Sequence, residues 1–65
     1  MKLLHIHKNW VRGLVIREFV DSDTRYFHTA ICGKRYLLYA CSNSHAGPGT
    51  IKKVIQRAKI YREIY

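Results

Sequence analysis

Apolar and polar positions alternate along the first forty residues of this chain, and the period then changes. In residues 2–8, Leu4 and Ile6 fall on one side and Leu3, His5 and His7 on the other, the period-two pattern of a short strand. Residues 10–20, Trp-Val-Arg-Gly-Leu-Val-Ile-Arg-Glu-Phe-Val, are rich in β-branched and aromatic types and predict a second strand, with Gly13 marking a bulge or bend. Asp21-Ser22-Asp23-Thr24 predicts a turn, because these short polar side chains bond to nearby backbone. A third strand is expected from Arg25 to Cys32 and a fourth from Arg35 to Cys41. Gly33-Lys34 between them suits a two-residue hairpin loop with glycine first, a type II′ turn.

Ser42 to Gly49 is polar, glycine-rich and broken by Pro48, so it reads as a loop. Thr50 sits where an N-cap hydroxyl accepts a helix-end N–H. From there Ile51, Val54, Ile55, Ala58, Tyr61 and Tyr65 share one stripe at helical spacing. The predicted fold is α+β. Three or four antiparallel strands (about 2–8, 10–20, 25–32 and 35–41) carry one C-terminal helix (about 50–64) on one face, in one small domain over 1–65.

The turns imply a register, and directly opposed residues share a face. Pairing Val20 with Arg25 sets Phe19 against Tyr26 and Arg17 against His28. Pairing Cys32 with Arg35 sets Thr29 against Leu38, His28 against Tyr39 and Phe27 against Ala40. Leu14, Ile16, Val20, Phe27, Ile31, Leu38 and Ala40 then form a core face for the helix stripe. Val15, Arg17, Phe19, Tyr26, His28, Arg35, Leu37 and Tyr39 are left on the side that a single helix does not cover. Aromatic rings beside cations suit single-stranded nucleic acid, whose bases stack while its phosphates meet the cations. Ordinary cross-strand packing and a homodimer seam are the alternatives for that face. A one-residue slip in either hairpin exchanges the two sides.

Charge strengthens the first of these readings. Twelve Lys and Arg face four acids, a net charge of +8 on 65 residues. Such an excess attracts polyanions, of which nucleic acid is the commonest. An acidic protein is the other class of partner. On the helix, Lys52, Lys53, Gln56, Arg57 and Lys59 lie opposite the apolar stripe and can line a phosphate backbone. Ile60 and Ile64 lie on that outer side too, where a solvated helix is polar, and they predict contact with a protein partner.

Catalytic and metal signals are weak. His5-x-His7 and Cys41-x3-His45 lack the paired spacing of a zinc site. Cys32 and Cys41 are too far apart along the hairpin to bridge. There is no acidic dyad and no full phosphate-loop motif. His28 beside Arg17 and Tyr39 is the one constellation that acid–base cleavage of RNA is able to use. The segment His45-Ala46-Gly47-Pro48-Gly49-Thr50-Ile51-Lys52-Lys53-Val54-Ile55-Gln56-Arg57-Ala58 resembles the C-terminal element of HicA-type messenger-RNA interferase toxins, where a His-containing loop leads into a Gly-Thr-Leu helix. That resemblance implies a metal-independent ribonuclease. It covers about 14 residues, and the family's N-terminal helix and Gly-Ser-His motif are missing, with Asp21-Ser22-Asp23-Thr24 near that place.

The leading expectation is a small non-enzymatic protein that binds RNA or single-stranded DNA in a regulatory role. Arg17, Tyr26, His28, Arg35 and Tyr39 form its contact face, and Lys52, Lys53, Arg57 and Lys59 add phosphate contacts. The alternative is an inhibitor that docks on a larger acidic protein or nucleoprotein, which resembles in outline the takeover and anti-defence proteins of bacteriophages. A ribonuclease toxin is the remote third. No cofactor, metal or membrane partner is expected. The absence of a signal-peptide core predicts a cytoplasmic location, the host cell's if the chain is viral.

Overall fold

A computed structural model describes all of residues 1–65 and shows the α+β fold. Its elements are β1 (Lys2–His7), β2 (Ile16–Asp21), β3 (Thr24–Ile31), β4 (Lys34–Ser42), a 3-10 turn (Asn43–His45) and α1 (Pro48–Ile64). The strands form one open antiparallel meander in the order β1-β2-β3-β4. No helix is long and apolar enough to cross a membrane.

The second strand is shorter than its composition predicts, because residues 8–15 form a loop instead. Gly13 takes φ +86°, a left-handed conformation that breaks a strand and that glycine adopts without steric cost. The loop turns Val11 and Leu14 inward, and both are buried in the core. Trp10 stacks on His7, with centroids 3.7 Å apart, and leans towards Phe27 at 6.2 Å. Arg62, in the last turn of α1, donates to the Arg12 carbonyl at 2.8 Å and ties this loop to the helix.

Both hairpin turns are tighter or shifted relative to expectation. Asp21 pairs with Thr24, leaving Ser22-Asp23 as the loop in place of four residues. The strand register is unaffected, because an added pair at the tip leaves the others in place. The β3–β4 loop is Cys32-Gly33, not Gly33-Lys34, with φ of 52° and 79°. Positive φ at both central positions is the type I′ turn, which favours glycine second. The helix also begins earlier, at Pro48, with Gly47 as its N-cap. Thr50 is therefore not the cap. Its hydroxyl accepts from the Gly47 N–H at 3.4 Å and donates to the His45 carbonyl at 3.3 Å, closing the loop from inside.

The core lies between the sheet and α1. Ile16, Phe27 and Leu38 from the strands meet Val54 and Ala58 from the helix, all nearly inaccessible. Each large side chain so buried stabilises the fold by roughly 1.5–3 kcal/mol. Thr29 shares the core and satisfies its hydroxyl by donating to the Val15 carbonyl at 3.0 Å. Ile51 and Tyr65, at the two ends of the predicted helix stripe, remain exposed. Tyr65 instead meets Tyr36 and Tyr61, with centroids 5.1 and 6.3 Å away.

Candidate nucleic-acid interface

The sheet face away from α1 is uncovered, and its strand pairing arranges it in rows. One row runs Ile6–Arg17–His28–Leu37 across all four strands. The next runs Leu3–Phe19–Tyr26–Ala40. Ala30 pairs with Arg35 one step beyond. The faces follow from residue alternation: Ile16 and Phe27 point to the core, so Arg17, Phe19, Tyr26 and His28 point away from it.

The rings on this face pack on one another. The His28 imidazole lies 5.3 Å from Phe19 and 6.2 Å from Tyr26, both tilted, and all three are half-buried. Leu3, Ile6 and Leu37 frame them and keep 45–50% of their surface exposed. Arg17 and Arg35 are exposed. Neither full row holds a carboxylate. Of the four acids, Glu18 faces the core side, Asp21 and Asp23 sit at the β2–β3 turn and Glu63 is in the last turn of α1. Burial first, and then the positive charge of Arg35, hold the His28 imidazole below the usual histidine range. Its Nδ1 is buried with no hydrogen-bond partner.

Four of the five sheet residues predicted for the contact face, Arg17, Tyr26, His28 and Arg35, are thus brought together. Tyr39 is not. The β3–β4 register shifts between Phe27 and His28, so that His28 opposes Leu37 while Phe27 opposes Tyr39. The bulge leaves Leu38 as the extra residue and turns both Leu38 and Tyr39 towards the helix. Tyr39 packs against the core, and the Lys53 ammonium sits 5.7 Å from its ring centroid. Ala40 moves the other way, from the predicted core to the open face. Tyr39 therefore does not join His28 and Arg17, and the three-residue grouping considered for RNA cleavage is not formed.

Lys52, Lys53, Arg57 and Lys59 are exposed on α1, on the opposite side of the molecule from the open sheet face. Ile60 and Ile64 are exposed as predicted, and with Gln56, Arg57 and Tyr61 they line a shallow groove. Leu3 and Ile6 both belong to the open face, although strict alternation sets them on opposite sides: the β1–β2 register shifts between Leu3 and His5, and this bulge moves Leu3 to the side of Ile6 and away from His5 and His7. Cys32 is exposed and Cys41 half-buried, both as free thiols.

A second polar cluster lies on the helix side. His7 Nε2 is 2.8 Å from Glu18 Oε1, and Arg25 donates to Glu18 Oε2. Arg25 also donates to the Asn43 side chain, through Nε at 3.0 Å and through Nη2. His7, Glu18 and Arg25 border a cleft of about 170 Å³ beside Trp10 and Gly47. Every carboxylate oxygen and guanidinium nitrogen of the cluster already has a partner within it, so it acts as a staple joining β1, β2, β3 and the loop before α1. His7, singled out by its spacing from His5 as a weak metal signal, is committed here. The sequence does hold a trace of the cluster: Glu18 lies in phase with Ile16 and Val20, and a carboxylate at a core position needs a buried partner.

Comparison with known protein families, with curated proteins and with solved structures finds no match to this chain.

Proposed function

We propose that the protein binds single-stranded nucleic acid, RNA or DNA, on the open face of its sheet, as a non-enzymatic regulatory module. The observation that carries this reading is the uncovered pair of rows in which Phe19, Tyr26 and His28 lie beside Arg17 and Arg35 with no carboxylate among them. Unpaired bases offer flat apolar surfaces to the rings, and each stacked base contributes about 1–3 kcal/mol. Bases in a duplex are already stacked on one another, so the rings favour single strands.

The helix cations play a lesser part. The molecule is 17 Å thick in its thinnest direction, against a screening length of about 8 Å at physiological salt. Phosphates on the open face therefore respond mainly to Arg17, Arg35 and His28. Two or three such contacts give a log–log salt slope of about −1.4 to −2 for a single strand, and four or five helix cations give about −3. A salt titration of oligothymidylate binding is expected to return the shallower slope, and Arg17→Ala to reduce it further. A slope near −3 that is unchanged in Arg17→Ala moves the site to the helix.

The second reading is a docking protein that disables an acidic partner. The exposure of Leu3, Ile6 and Leu37, and of Ile60 and Ile64 across the molecule, favours it. Such an interface loses little affinity with salt, and its capture from lysate survives nuclease treatment. Charge opposes self-association through the open face, since two copies bring Arg17 and Arg35 against their own kind.

A further inference from the structure

Arg17, His28 and Arg35 have a geometry that the stacking rings alone do not explain. Arg17 is directly opposite His28 on β2. Arg35 pairs with Ala30, two residues along β3, and so sits diagonally from His28 on β4. Opposed side chains in a sheet begin about 5 Å apart and diagonal ones about 7–8 Å, within reach of long cationic chains. The other titratable group beside this trio is Tyr26, 6.2 Å from the imidazole, while Ile6 and Leu37 close the row. No carboxylate in the row offsets the two guanidinium groups.

Within this cluster the imidazole is poorly satisfied. Nδ1 is sealed from solvent with no partner, a desolvation cost that no protein group relieves. We propose that Arg17, His28 and Arg35 form the subsite for one phosphodiester of a bound single strand, and that His28 takes up a proton when the phosphate arrives. A phosphate oxygen is the acceptor that a protonated Nδ1 lacks, and rotation of the half-exposed ring brings the two together. The anion also offsets the field of Arg35. Phe19 and Tyr26, in the adjacent row, then hold a neighbouring base. The inference rests on the single-strand reading and makes it specific: one phosphate over His28 and one base over the adjacent pair.

The sign follows from linkage. In the free protein burial, and then Arg35, hold the imidazole's titration below its ordinary value of 6.5. A ligand that favours the charged form binds more tightly as pH falls through that range. Each unit by which the phosphate raises the His28 titration is worth a tenfold gain. Oligothymidylate is the probe, because thymine and the phosphodiester do not titrate between about pH 5 and 7.5. Its affinity is expected to rise ~10-fold from about pH 7.5 to about pH 5.5, and His28→Gln to flatten the pH profile of whatever affinity it keeps. Following the His28 ring by NMR in the unaltered protein supplies the second readout, with its titration midpoint moving upward when the oligonucleotide is added. Binding that proceeds with an unmoved midpoint, or with the full pH gain intact in His28→Gln, overturns the subsite and leaves the single-strand reading standing. Failure of oligothymidylate to bind at any pH overturns both.

Discussion

Replacing Glu18 with alanine is expected to bring the fold to the edge of unfolding. The carboxylate is only 6% exposed and is held between His7 and Arg25. Removing it leaves the Arg25 guanidinium partly buried without its counter-charge. Breaking a buried pair from one side costs about 3–5 kcal/mol, and the residual exposure of the His7 and Arg25 side chains, 18% and 22%, places the cost near 3. A domain of this length has a total stability of roughly 3–10 kcal/mol. Glu18→Gln keeps the shape and one hydrogen bond and should cost about 1–3 kcal/mol, the price of an imperfectly satisfied buried group. Urea unfolding of the two variants beside Glu63→Ala, an exposed control, measures the difference. A Glu18→Ala unfolding free energy within about 0.5 kcal/mol of the unaltered protein's, the range of an ordinary surface change, shows that the staple contributes nothing.

The second large effect concerns binding. Phe19→Ala combined with Tyr26→Ala removes both rings that hold one base, and the loss of that stacked base at about 1–3 kcal/mol lowers single-strand affinity at least ~5-fold. Neither residue is part of the buried core cluster, so the fold is expected to survive, with circular dichroism as the check. Tyr39→Ala is the informative control. Its ring faces the helix beside Lys53, so the substitution lowers stability and leaves affinity within twofold. Equal losses in the two variants contradict the assignment of faces.

Tyr39 also shows how far the sequence can be read. Alternation and turn residues predict the hairpins from β2 to β4, the helix and the pairing of Arg17 with His28. Tightening the β2–β3 loop adds a pair without moving the others. The β3–β4 loop slides by one residue, which changes the pairing near its tip by two positions and preserves parity, so His28, Arg35 and Leu37 keep their predicted side. A bulge then adds one residue, and beyond it Tyr39 and Ala40 exchange faces. Nothing in Leu37-Leu38-Tyr39 marks that bulge, because all three are acceptable strand residues on either face. The loop at 10–15 is similar, since Trp10, Val11 and Leu14 have strand composition and only Gly13 signals otherwise. The His7–Glu18–Arg25 staple depends on contacts 7 and 11 residues apart in sequence, which local patterning does not register beyond the out-of-place Glu18.

The claim under all of this is that the open sheet face, and not the basic helix, meets the nucleic acid. Mapping amide and ring NMR shifts while oligothymidylate is added tests it residue by residue. The account predicts that perturbations concentrate at Arg17, Phe19, Tyr26, His28 and Arg35, with Lys52, Arg57 and Lys59 nearly still. Perturbations centred on α1, or none at saturating oligonucleotide, contradict it.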